Sequence, residues 1–129
     1  FPKSPFLIEA QFMQGRALQA QKKYDAAIKA YQIVIDATDN EFAAKAQFQI
    51  GTSNMEAKLF DAAVKNFLNV VYSYAYPEWS AAALCQAADA SIQQKKTKEA
   101  KDYLNRVLTE FSKTPHAELA KAQLAKLLK

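Results

Sequence analysis

Apolar residues in this chain recur at intervals of three, four and seven, and one phrase of them is written three times. Lys23-Tyr24-Asp25-Ala26-Ala27-Ile28-Lys29-Ala30-Tyr31 returns 36 positions later as Leu59-Phe60-Asp61-Ala62-Ala63-Val64-Lys65-Asn66-Phe67. A further 37 positions on it returns more loosely, as Lys96-Thr97-Lys98-Glu99-Ala100-Lys101-Asp102-Tyr103-Leu104. The spacing is that of one face of an amphipathic helix, and self-similarity at this period predicts a stack of helix pairs.

The pairs can be placed one by one. Ser4-Pro5 predicts a cap followed by proline in the first turn, where its missing N–H is harmless. The helix it opens runs to about Lys22, with Phe12, Gly15, Leu18 and Gln19 on one face. After a short turn at Lys22-Lys23, a second helix, about Tyr24 to Ala37, turns Ala27, Tyr31, Val34 and Ile35 to one side, and Thr38-Asp39-Asn40 ends the unit. The next unit repeats the plan, with Ala46, Phe48, Ile50 and Gly51 in the places of Ala10, Phe12, Gln14 and Gly15; its second helix, about Phe60 to Tyr74, presents Ala63, Phe67, Val70 and Val71. The third has Ala83 and Ala88 at the small positions, then Ala100, Leu104, Val107 and Leu108. The expected organisation is a single array over residues 1–129, with units at about 5–40, 41–76 and 77–113 and a terminal helix at 115–128. That helix either covers the open end of the stack or is the first half of a further unit. Phe1-Pro2-Lys3-Ser4-Pro5 resembles Phe111-Ser112-Lys113-Thr114-Pro115 at a shift of 110. The chain therefore reads as a piece of a longer protein, begun partway through a repeat, with Phe1 ending a preceding helix.

Composition agrees. Half the residues are hydrophobic and only two are glycine, against roughly 7% glycine in an average protein. Ile33-Val34-Ile35 has strand propensity but lies inside a longer helical period, which should prevail. One cysteine, Cys85, excludes an internal disulfide, and with one histidine, His116, it makes no convincing zinc site. Apolar runs fall well short of the roughly 18 residues of a membrane span.

Gly15 or Gly51, then Tyr24 or Phe60, Ala27 or Ala63, and Tyr31 or Phe67, at intervals of nine, three and four, are similar to the tetratricopeptide repeat. The third unit keeps Ala88, Ala100 and Leu104. The resemblance implies an all-α, right-handed α-solenoid of antiparallel helix pairs, with three such repeats plus the terminal helix. The early tryptophan of the family is replaced by Gln11, Gln47 and Leu84, with an aromatic one residue later at Phe12 and Phe48, and the unit-ending proline gives way to turns of the form aromatic, spacer, Ser or Thr, Pro. Both habits resemble the bacterial cell-envelope branch, such as the periplasmic coordinator of the Tol-Pal system and the lipoprotein of the outer-membrane β-barrel assembly machine, and imply a periplasmic or envelope location.

Such repeats bind peptides along the groove formed by the first helix of each unit. The register then implies a partner surface of Phe12, Arg16 and Gln19, then Phe48, Thr52 and Met55, then Cys85, Asp89 and Ile92, each trio at i, i+4, i+7 on one face. Phe12 and Phe48 can equally be core residues, given the displaced aromatic. A carboxylate clamp would want lysine and asparagine where Phe12 and Arg16 stand. A second candidate is the aromatic segment Tyr72, Tyr74, Tyr76, Trp79, with Tyr76 and Trp79 as the exposed patch; its simpler role is to seal the joint between units two and three. Basic residues at the turns, Lys22-Lys23, Lys58 and Lys95-Lys96-Lys98, should share one edge. Such an edge could meet acidic lipid head groups, an acidic partner or nucleic acid, but a net charge of +4 spread over a helical array argues for a solvated edge, and the lack of interleaved aromatics argues against nucleic acid.

No paired acids, metal-ligand spacing or phosphate-binding glycine loop appears. Cys85 reads as a small buried hydrophobe, and Glu99 with Lys95 and Asp102 with Lys98 as i, i+4 surface pairs. The expected function is that of a non-enzymatic, cofactor-free protein–protein interaction module that presents a concave groove to a partner protein or peptide. The alternative is a structural spacer or oligomerisation element that self-associates through open repeat ends.

Overall fold

A computed structural model describes residues 4–129 of the chain; the expectation for Phe1 lies outside the described residues. These form seven α-helices: α1 Pro5–Ala20, α2 Tyr24–Ala37, α3 Glu41–Glu56, α4 Phe60–Ser73, α5 Pro77–Gln93, α6 Thr97–Glu110 and α7 His116–Leu127. The Ser4 hydroxyl accepts from the Leu7 amide at 3.2 Å, capping α1 ahead of Pro5. Asn40 does the same for α3 through the Phe42 amide at 2.9 Å.

Each first helix ends in the same closure. The amides of Lys22, Lys58 and Lys95 bond back to the carbonyls of Gln19, Met55 and Ile92, and the next amides, of Lys23, Leu59 and Lys96, to Leu18, Asn54 and Ser91. This is the Schellman pattern. Its left-handed position, usually glycine, is held here by Lys22, Lys58 and Lys95 with φ of 63, 64 and 62°, each at a cost of about 1 kcal/mol.

The second helices supply the core. Ala27, Tyr31 and Val34, then Ala63, Phe67 and Val70, then Ala100, Leu104 and Val107 are fully buried, while Ile35, Val71 and Leu108 are partly so. Each core is closed by the first helix of the following unit: Ala46 and Ile50 of α3 join the first, Ala83 and Ala87 of α5 the second, and Ala120 of α7 the third. Ala46, Ala83 and Ala120 are register equivalents. Helix α7 is therefore the lid of the third unit.

Within each unit a small residue on the first helix faces a large one on the second. A Cβ on Gly15 would lie 2.6 Å from the Tyr31 ring, and one on Gly51 would lie 2.7 Å from the Phe67 ring. The ring occupies the volume a side chain would need. In the third unit the pair is Ala88 with Leu104: the smaller partner leaves room for one methyl. Gly51→Ala is expected to destabilise the fold by about 1–3 kcal/mol, and adding Phe67→Leu should recover part of that loss. A urea-denaturation double-mutant cycle measures the coupling; strictly additive effects would contradict it.

Across units, the backbones of α1 and α3, α3 and α5, and α5 and α7 approach closely, whereas those of α2, α4 and α6 stay apart and α4 meets α6 only through side chains such as Tyr72 and Arg106. The first helices thus stand closer together than the second, and the stack curves with α1, α3, α5 and α7 on its inner side.

Candidate functional site

Along the inner side runs a ladder of rings. Phe12 packs on Tyr31 of its own unit, centroids 5.5 Å apart, and on Phe42 of the next at 5.9 Å. One unit on, Phe48 packs on Phe67 at 5.2 Å and on Trp79 at 5.3 Å. In the third unit Cys85 replaces the ring, and its thiol lies 4.0 Å from the carbonyl of His116, the register equivalent of Phe42 and Trp79. Each ladder residue is thus gripped between its own second helix and the first turn of the following unit.

This grip corrects two of the expected groove residues. Phe12 is 8% exposed and Cys85 1%, so both belong to the joints between units. The Cys85 thiol is pushed up to about 11, chiefly by burial and then by Asp89, the reverse of an activated nucleophile.

The other members of the trios differ among themselves. Arg16 is exposed, and Gln19, Thr52, Met55, Asp89 and Ile92 are half-buried. Gln19 accepts from the Tyr31 hydroxyl at 2.7 Å and donates to Glu56 at 3.0 Å, tying α1 to the end of α3; burial of that phenol pushes it up to about 12. The Thr52 hydroxyl donates to the Phe48 carbonyl on its own helix. Met55 and Ile92 pack against the second and third cores.

Asp89 accepts from the Gln123 amide of α7 at 2.9 Å. Burial raises its carboxyl above the usual range, and that hydrogen bond opposes the rise. With the folded value above the unfolded one, the unfolded chain binds less proton between the two. Stability therefore falls as pH rises through that interval and stays lower above it. Asp89→Asn is expected to gain on the wild type as pH rises above the ordinary carboxylate range, read by urea denaturation at each pH. Parallel curves would show that the carboxyl is solvated.

Phe48 and Trp79 do reach the surface, and they bring the two expected sites together. A depression of about 550 Å³ is lined by Glu41, Lys45, Phe48, Glu78, Trp79, Ala82 and His116. A second, of about 410 Å³, shares Glu41, Glu78 and Trp79 and adds Tyr76, Pro77, Lys113 and Thr114. Tyr76 and Trp79, expected as a separate patch, thus form one surface with the groove residue Phe48. Trp79 seals the joint on one side and stays half-exposed on the other. Tyr72 stands apart, 68% exposed, with the Arg106 guanidinium 5.7 Å from its ring centre. Glu41, Lys45, Glu78 and Ala82 were missed, although they lie seven and three residues before Phe48 and Cys85, on the same helix faces.

Among the described residues no group of His, Cys, Asp and Glu is arranged to hold a metal ion, and no helix is long and apolar enough to cross a membrane. Close ion pairs there are Lys96 with Asp61 at 3.5 Å and Arg106 with Glu110 at 2.9 Å; the expected pairs Glu99–Lys95 and Asp102–Lys98 are not formed.

The sequence model of the tetratricopeptide repeat matches residues 9–37 and 82–114, just under half of the chain and most of the first and third helix pairs. No curated protein matches the chain significantly. Among solved structures it is similar to the nearly identical TPR-like repeats of a Podosopora anserina protein assigned as a kinesin light chain, with a TM-score of 0.70 and 16% identity over 97% of this chain and 67% of that one. A substituted form of the same repeats gives 0.71 and 17%, over 97% of this chain and 66% of that one. At that identity the likeness shows the fold, and the chain spans about two thirds of the structures it matches. By fold from end to end the chain is an all-α helical-repeat solenoid, and in its first and third units its sequence is similar to the tetratricopeptide repeat.

Proposed function

We propose that this array is a protein–protein interaction module that takes a segment of a partner protein along its inner face, anchored at the Phe48–Trp79 depression. Tetratricopeptide repeats in general mediate contacts between proteins, and the observation that carries the reading here is the depression itself. Two aromatic rings line it, and around them stand Glu41, Lys45, Glu78, Ala82 and His116. Apolar concavity rimmed by a few polar groups is what an anchoring side chain requires.

The test is to select peptides from a random display library with the wild-type chain and measure the best of them against Glu78→Lys combined with Ala82→Arg. Both substitutions stand at the rim. Affinity is expected to fall at least about tenfold with melting temperature unchanged, while Lys29→Glu on the outer side leaves binding intact. Equal binding by the rim variant would overturn the reading.

A second reading, self-association through the first unit, rests on the exposed Phe6, Leu7 and Ile33. Leu7 and Ile33 line a shallow depression of about 250 Å³ between α1 and α2. Sedimentation equilibrium separates the two: a monomer at all concentrations favours the groove, and concentration-dependent dimers lost in Leu7→Glu favour the end-on contact. The turn pattern of aromatic, spacer, Ser or Thr, Pro supports a place in the bacterial cell envelope, which fractionation of the source cells tests.

A further inference from the structure

The three closures inside the units break a local rule in the same way. Lysine takes the left-handed position at Lys22, Lys58 and Lys95, where glycine would be easier. A lysine placed one residue later, in ordinary backbone, would serve the C-terminal helix dipole as well, and Lys23 and Lys96 already stand there. A local rule broken three times without a gain in folding points to a use outside folding.

These lysines lie on one edge of the stack, together with Lys23, Lys96 and Lys98, and all six are exposed. Among the described residues only Lys96 of the six is in a close ion pair, with Asp61. At the centre of the edge Leu59 stands 56% exposed. It borders a depression of about 400 Å³ formed with Lys58, Phe60, Asp61, Ala62 and Gln94.

We propose that this edge is a second docking surface, for an acidic polypeptide segment whose carboxylates meet the left-handed lysines one unit apart and whose apolar side chain covers Leu59. Neighbouring first helices are in contact, which sets the repeat at about 10 Å. Carboxylates at every third residue of an extended chain recur at about the same distance. One acid per unit, Asp25, Asp61 and Glu99, lies beside the lysines in the first turn of each second helix. A nucleic acid strand, with a phosphate every few ångströms, would set some of its charges against these acids. A lipid surface would do the same, whereas a polypeptide can space its carboxylates to avoid them. The proposal is independent of the inner-face reading.

The experiment uses a fluorescent synthetic peptide with glutamate at every third position around a central leucine, titrated against the full chain by anisotropy. Lys22→Gly, Lys58→Gly and Lys95→Gly together should fold with an equal or higher melting temperature and yet bind the peptide at least about tenfold more weakly. Removing the same charge elsewhere, by Lys29→Ala, Lys101→Ala and Lys121→Ala, should change affinity by less than about twofold. Phosphatidylglycerol vesicles and oligothymidylate should bind the wild type and the glycine variant alike. Equal peptide binding by wild type and glycine variant overturns the proposal, as does an equal loss in the control variant. Lysine-dependent binding of vesicles or oligonucleotide in place of the peptide also overturns it.

Discussion

Phe67→Ala is expected to remove about 3–5 kcal/mol of stability, much of the 5–15 kcal/mol that a domain of this kind commonly has. Phe67 is fully buried in the middle unit, edge-on to Phe48, and its ring fills the volume that Gly51 leaves. Gly51 and the alanines Ala63, Ala83 and Ala87 of the same core have no side chains that can reach into the hole left behind. In a linear stack each unit is held by its neighbours, so loss at the centre uncouples the first unit from the third. One cooperative transition should move to lower urea, and a shift of under about 1 kcal/mol would mean that the ring is not the wedge between α3 and α4.

Ala63→Leu is expected to be comparably damaging, at about 3 kcal/mol, for the opposite reason. Ala63, like its equivalents Ala27 and Ala100, is fully buried where the second helix lies against its neighbours. Three added carbons have no void to enter, so α4 must move off α3, and the Phe48–Phe67 contact opens with it. Thermal unfolding reads the outcome. A melting temperature like the wild type's would show the alanine at the edge of the joint rather than inside it.

The architecture was legible because helix pairing constrains residue size. A wedge between units needs the same large residue at Tyr31, Phe67 and Leu104 and the same small one at Gly15, Gly51 and Ala88, so the constraint recurs as a written repeat. The surface was less legible. Phe12, Phe48 and Cys85 share one register position but not one exposure, because exposure depends on what the next unit places over them: Phe42, Trp79 or the His116 backbone. That is a contact between units, invisible to the period of one helix. Trp79 was read with its sequence neighbours Tyr72, Tyr74 and Tyr76, whereas the fold separates it from Tyr72 and joins it to Phe48. The ion pairs failed for a related reason. Lysines on a wet edge gain little from any one partner, and Lys96 reaches across units to Asp61.

The inner face as a partner-binding groove is tested most directly by recording backbone amide shifts of the labelled chain while the tightest display-selected peptide is added. The account predicts perturbations centred on Phe48, Trp79, Ala82 and His116, with the turns at Lys22, Lys58 and Lys95 quiet. Perturbations confined to Phe6, Leu7 and Ile33, or to the outer faces of α2, α4 and α6, would contradict it.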